Sequence, residues 1–384
     1  MPSIYLDHNS TTPVDTNVLE AMLPYFSEKF GNAASKTHTY GWTAAAVVEK
    51  ARAQVAELIG AEPSEIIFTS GATESLNLAI RGAMEAYAQK GRHLIVCATE
   101  HKAVLDTAKD LGFKNIETSF LPVDREGIIN PDELRKLIRE DTVLVAVMMA
   151  NNETGVVQDS RGIGEICRER KVLHLSDTTQ AIGKIRVNVN ENKLDLCTLS
   201  AHKVYGPKGV GALYVRRKDP RVKLIAEITG GGHEQGLRSG TLNVPGIVGI
   251  GEACRLAGEN LWDYGIHTSR WRTLLEQQLT LHQRGYINGS IKSRLPNTTN
   301  LHFPGLKSEQ LIKALPEIAF SMGSACTSAL PEPSHVLRAM GLKDVEIDGS
   351  IRISIGKDTS EAEIRDAIFR IGATLDTLLA KKGI

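Results

Sequence analysis

Short apolar runs and longer amphipathic stretches alternate along the first two thirds of the chain. The runs lie at 65–68, 93–97, 142–147, 172–175 and 194–199, with one more at 209–215. Between them, apolar residues recur at helical spacing over 43–59, 74–88, 104–111, 131–138 and 162–170. Strands that are apolar throughout, separated by helices, predict a mainly parallel sheet covered on both faces. Gly230-Gly231-Gly232 marks a loop. Beyond it the pattern predicts two long helices over 244–257 and 263–282. A mixed region follows, with strands at 299–303 and 350–354, a helix from Ser308, turns around Cys326 and a last helix over 360–379. This region reads as a smaller α+β unit. The expected division is a large unit at 14–257 and a small one made of 1–13 and 258–384.

With 384 residues the chain is long enough for two such units. Its 45 basic and 45 acidic residues balance. That leaves no electrostatic case for nucleic acid or an anionic membrane as a main partner. No apolar run approaches the roughly 20 residues of a membrane span. The start, Met1 to Asp7, lacks the basic and apolar regions of a signal peptide. The five cysteines, Cys97, Cys167, Cys197, Cys254 and Cys326, are odd in number, widely spaced and without a CxxC pair. This argues against a disulfide framework or a local metal site and for a cytoplasmic setting. Four of them fall in apolar strand or helix patterns. Cys326 falls among small residues and turn formers, Gly323, Ser324, Thr327 and Ser328, where an exposed thiol is expected.

The candidate chemistry centres on Ser200-Ala201-His202-Lys203, which follows a strand and precedes the turn Gly206-Pro207-Lys208-Gly209. A lysine held there beside a hydroxyl and an imidazole suits Schiff-base chemistry with pyridoxal 5′-phosphate (PLP). An ordinary surface lysine is an equal reading of the tetrapeptide alone. Ser70-Gly71-Ala72-Thr73-Glu74 opens a helix and would suit a phosphate. Asp177 and Gln180 follow a strand; the carboxylate could hold a pyridinium nitrogen protonated and the amide could meet the phenolic oxygen, although such an Asp is also a common helix cap. His101 could stack on a flat ring or move protons. Asn151-Asn152-Glu153-Thr154-Gly155 and Arg238-Ser239-Gly240-Thr241 complete the set. These five motifs around the lysine are expected at the carboxyl ends of parallel strands, where open α/β sheets carry their sites.

Taken with Tyr5-Leu6-Asp7-His8-Asn9-Ser10-Thr11-Thr12-Pro13, Glu100-His101-Lys102-Ala103-Val104 and Ser321-Met322-Gly323-Ser324-Ala325-Cys326-Thr327-Ser328, these motifs resemble those of the NifS/IscS-like cysteine desulfurases. Those are PLP enzymes of the class V aminotransferase superfamily. The resemblance runs in order from Tyr5 to the last helix. It implies an aspartate aminotransferase-like fold, with a mainly parallel seven-stranded sheet in the large unit and the active cysteine in a loop at about 321–333. It further implies that Lys203 carries PLP, that His101 stacks over the ring, and that Asp177 and Gln180 meet its nitrogen and phenolic oxygen. Ala72, Thr73, Ser200 and His202 would hold the phosphate. Thr241 would reach the cofactor of the other subunit in a homodimer. Asn152 would lie by cofactor and substrate, and Arg352 would clamp the substrate carboxylate. Sulfur would pass from L-cysteine to Cys326, leaving alanine, and then to an acceptor protein.

Ser10, Ala33 and Met322 depart from the commonest family pattern without removing a proposed chemical group, and read as drift. Relatives that dock an iron–sulfur scaffold carry a longer C-terminal tail, so tRNA thiolation, a cofactor pathway or DNA phosphorothioation stand as other destinations for the sulfur. A selenocysteine lyase, another aminotransferase-type enzyme and a catalytically silent binding subunit are the rival readings. Plain transamination needs no cysteine nucleophile, and a silent subunit needs none of Lys203, Asp177, His101 and Cys326.

Overall fold

The computed structural model describes residues 3–322 and 333–380. Thirteen strands fall among them: β1 (Ile4–Tyr5), β2 (Ile66–Thr69), β3 (His93–Cys97), β4 (Glu117–Leu121), β5 (Thr142–Ala146), β6 (Leu173–Asp177), β7 (Leu196–Ser200), β8 (Gly211–Val215), β9 (Tyr286–Ile287), β10 (Thr298–His302), β11 (Ile318–Ala319), β12 (Ser321–Met322) and β13 (Ser350–Ser354). Seven build one sheet in the order β2-β8-β7-β6-β5-β3-β4. β3 to β7 are parallel to one another, and β8 runs against both β7 and β2. Two reversals leave β2 parallel to the rest. Six carboxyl ends and the amino end of β8 therefore share one edge.

Alternate residues along the strands enter opposite cores. Ile66 and Phe68 pack with Val48, Val55 and Ile59 of the helix Thr39–Ile59 and with Ile247 and Ile250 of the helix Val244–Glu259. Ile67, Leu94 and Val96 face Leu76, Ile80 and Met84 of the helix Ala72–Ala86. Because both faces are covered, β3, β5, β7 and β8 are buried at every position, and each was legible as an apolar run. β4 was not. It is the outermost strand, its sequence is Glu-Thr-Ser-Phe-Leu, and only Leu121 is buried.

The second sheet, β12-β13-β10-β9, is antiparallel. Its core joins Leu301, Ile351 and Ile353 to Trp271 and Leu275 of the helix Leu261–Leu279 and to Ile364 and Ile371 of the helix Glu361–Ala380. Ile4 and Leu6 belong to the same cluster, and β1 pairs in parallel with β11. The amino-terminal segment thus crosses from this core to the edge of the large sheet. Among the described residues no helix is long and apolar enough to cross a membrane.

Candidate active site

A cavity of about 950 Å³ opens where that segment meets the sheet edge. Ala72, Thr73, His101, Asn152, Asp177, Gln180, Ser200, His202, Lys203 and Arg352 all line it. Asp177 and Ser200 are the last residues of β6 and β7, so both strands run further than their apolar runs suggested. The 238–241 segment is a correction to the expectation that all five motifs follow parallel strands. It follows no strand of the sheet. An ion pair from Arg238 Nε to Glu74 Oε1 at 2.8 Å holds it to the start of the helix Ala72–Ala86. Thr241 is exposed and is not among the residues lining the cavity. Cys326 lies outside the described residues.

Lys203 ends a single 3-10 turn, Ala201–Lys203, directly after β7. Its Nζ donates to the carbonyl oxygens of Asn9 and Ser10, each at 2.6 Å. Burial lowers its pKa to about 8, helped by Arg352 and opposed by Asp7 and Asp177. The free amine is therefore a far larger fraction near neutral pH than for an ordinary lysine, although the protonated form still predominates. His202 is lowered to about 4 by burial and by Lys203 and Lys208, so it meets an anion as a neutral ring.

Asp177 Oδ1 accepts from the Thr179 N–H and the Thr198 hydroxyl, both at 3.0 Å. No hydrogen bond engages Oδ2 among the described residues, which leaves it open to a donor from the cavity. Glu100, almost fully buried nearby, has its pKa raised well above the carboxylate range by burial and by Asp177.

His101 caps the helix Lys102–Gly112, its Nδ1 accepting from the Ala103 N–H at 3.1 Å. The ring is exposed along the cavity wall, yet the surrounding protein lowers its pKa. Desolvation is the first cause, Asp177 opposes it, and Lys203 and His335 reinforce it. The neutral ring therefore carries its proton on Nε2. An added proton goes to Nδ1 and displaces the cap.

Arg352 is buried on β13. Nη1 donates to the Asn152 carbonyl at 3.0 Å. Nη2 reaches Asp7 Oδ1 at 2.7 Å, Ser10 Oγ at 2.8 Å and Ser321 Oγ at 2.9 Å. Asp7 and Ser10 were quoted only as parts of a motif, and Ser10 was read as drift. The contact with Arg352 gives its hydroxyl a task. Their signal in the sequence was mere proximity to a strand start, which carries no information about a side chain more than three hundred residues away.

The residues fit PLP. The first-turn N–H groups of the helix Ala72–Ala86 have no acceptor within the helix and face the cavity. Gly211 lets that turn approach the sheet: a Cβ there would lie 2.6 Å from Gly71 Cα and from the Leu199 carbonyl oxygen. Asp177 Oδ2 and the buried Thr179 hydroxyl, which lacks a partner among the described residues, supply further polar groups to the cavity.

Residues 4–366 match the family model for class V aminotransferases. A relative named cysteine desulfurase IscS from Neisseria meningitidis is 53% identical over 364 residues, covering 95% of this chain and 90% of that one. A similarly named protein from Anaeromyxobacter dehalogenans is 52% identical, covering 96% and 91%. A solved structure described as a NifS-like protein superposes with a TM-score of 0.91 at 38% identity, covering 98% of this chain and all of that one. With a PLP-shaped site at the switch edge of such a sheet, the chain belongs to the class V aminotransferase family and is a PLP-dependent enzyme. Within that family it is a cysteine desulfurase of the NifS/IscS-like group.

Proposed function

We propose that this enzyme takes sulfur from L-cysteine with Lys203, His101, Arg352 and Cys326 as its working residues. The observation that carries the assignment is the convergence of Lys203, Asp177 and the helix start at Ala72 on one cavity. Ala72, Thr73, Ser200 and the neutral His202 hold the phosphate by hydrogen bonds. Asp177 holds the ring nitrogen, Gln180 the phenolic oxygen, and His101 covers the ring. When bound, PLP takes up the electron pair left at the substrate Cα.

Arg352 binds the substrate carboxylate, with Asn152 beside it. Lys203 first holds the cofactor and then, as a free amine, removes the Cα proton and returns one. His101 Nε2–H donates into the cavity, and Nδ1 takes a proton only by releasing the Ala103 N–H. Cys97, Cys197 and Cys254 have thiols pushed up to about 12 by burial, and Cys167 is raised further. They stay protonated and enclosed, which leaves Cys326 as the nucleophile. Its thiolate bonds to the substrate sulfur as the Cβ–S bond breaks. Cβ then takes up a proton and alanine leaves. The persulfide sulfur passes to an acceptor protein.

The protein acts as a cytoplasmic homodimer in this reading, with Thr241 serving the neighbouring subunit's phosphate. The division at 14–257 and at 1–13 with 258–384 is part of it, supported by the separate apolar clusters. A solved structure titled SspA in complex with cysteine, 34% identical over 92% of this chain with a TM-score of 0.81, supports cysteine as the substrate. Purified enzyme is expected to show a visible PLP band that Lys203→Ala abolishes. Cys326→Ser should keep the band and lose sulfide release from cysteine. Full desulfuration by that variant would remove Cys326 from the scheme.

A further inference from the structure

Lys184 is buried beside the cavity, 4% exposed, and the chemistry above gives it no task. Among the described residues no carboxylate pairs with it. Its Nζ donates instead to Gln180 Oε1 at 2.6 Å and to Asn9 Oδ1 at 3.2 Å. Gln180 Nε2 in turn donates to the Asn9 carbonyl at 2.9 Å. The side chains of Lys184 and Gln180, with the side chain and backbone carbonyl of Asn9, close a ring of hydrogen bonds. The same Asn9 carbonyl accepts from Lys203 Nζ.

Such a ring has one orientation. A lysine has only donors, so the atom of Gln180 that faces it must be the oxygen. The amide nitrogen then lies on the other side, with one hydrogen on Asn9 and a second to give. Asn9 is fixed from further directions. Its N–H bonds Ser354 Oγ and its Nδ2 bonds Thr298 Oγ1, both at 2.9 Å. Asn9 thus ties Lys184 and Gln180 to the second sheet. Burial and then the cations Lys203 and Arg352 lower the Lys184 pKa well below the ordinary lysine value, and Lys184 in turn helps to keep His8 and His202 neutral. Burying a cationic side chain among cations and amides is unfavourable by itself. Simple packing would be served better by a methionine.

We propose that Lys184 is a positioning residue for the cofactor. It holds the amide of Gln180 with its nitrogen available to the phenolic oxygen, and through Asn9 it sets the carbonyl against which the Lys203 amine rests. This rests on the reading that Gln180 meets the phenolic oxygen and Lys203 bonds PLP.

The test uses holoenzyme in four forms: wild type, Lys184→Met, Gln180→Ala and the double variant. The readouts are the pH midpoint of the visible band and the PLP dissociation constant. Losing the donor that orients Gln180, and with it the hydrogen bond to the phenolic oxygen, lets the chromophore keep its proton to higher pH. Lys184→Met should raise the midpoint by about half a pH unit or more and weaken PLP binding about tenfold, the scale of one lost hydrogen bond to a charged group. The double variant should fall well short of the sum of the two single changes, because Lys184 acts mainly through Gln180. Lys184→Gln, which keeps an N–H donor, should recover part of both changes. A lysine with a structural role only would change the melting temperature of Lys184→Met in either direction and leave midpoint and affinity unchanged, and that result overturns the proposal. So do shifts that add in full in the double variant. If Lys184→Met does not fold, Lys184→Gln is held to the same criteria against wild type and Gln180→Ala. Failure of the underlying reading looks different: the visible band would be missing from wild type or would survive Lys203→Ala.

Discussion

At the scale of single residues, the internal contacts of Arg352 bear on its proposed binding of the substrate carboxylate. Its Nη2 carries two hydrogens but has three acceptors in reach, Asp7, Ser10 and Ser321. The guanidinium is held in place before any substrate arrives, and an incoming carboxylate competes with Asp7 for it. Removing the Ser10 hydroxyl takes away one of the holders. A hydrogen bond to a charged group contributes about 1.5–3 kcal/mol, and the two remaining acceptors recover part of that. Ser10→Ala is therefore expected to raise KM for cysteine several-fold with kcat within about twofold, since uniform binding is lost rather than transition-state stabilisation. Steady-state kinetics on the purified variant checks this, and a fall in kcat with KM unchanged would contradict it. The motif containing Ser10 was conspicuous in the sequence. The partner on β13 was not, because strand register decides which side chain stands opposite.

At the scale of elements, the turn after β5 shows how a loop can enclose an acid. Asn151 Oδ1 accepts from Glu153 N, Thr154 N and Thr154 Oγ1, which winds the chain tightly enough to bury Glu153. Burial lifts the Glu153 pKa to about 7, with the Ser334 hydroxyl, Arg352 and Lys102 opposing it. Its folded pKa lies above the unfolded value of about 4.3. The associated stability is thus complete below about pH 4 and is lost as pH rises through about 7. Glu153→Gln keeps an acceptor for Ser334 and does not ionise. It should match wild type near pH 4 and exceed it by on the order of 3 kcal/mol at pH 8, since each pH unit separating the folded and unfolded values corresponds to about 1.4 kcal/mol. Urea unfolding across that range measures the difference, and a gap independent of pH would refute it. The apolar strands were legible here because burial on both faces leaves a composition signal. The edge strand β4 and the buried acid left none: one is polar by exposure, the other polar despite enclosure.

At the scale of the whole molecule, Thr241 stands apart from the cavity of its own chain. If it serves a neighbour, complementation follows from geometry. In a mixed dimer of Lys203→Ala and Thr241→Ala chains, one site combines the intact lysine with the partner's intact threonine. The other site lacks both. Such dimers should bind one PLP at wild-type affinity, whereas Thr241→Ala homodimers bind both weakly. Two weak sites in the mixed dimer would place the action of Thr241 within its own chain. The alternation of strand and helix, the apolar strands and the order of the polar motifs were determined by the sequence alone. They follow from local burial and from chain direction, which a linear pattern records. Tertiary structure decided what no linear pattern can hold. The amino-terminal segment carries Asp7, Asn9 and Ser10 from one core to the edge of the other. It sets them against Arg352, Lys184 and Lys203, because side chains far apart in sequence meet only where packing of both cores leaves the backbone no other course.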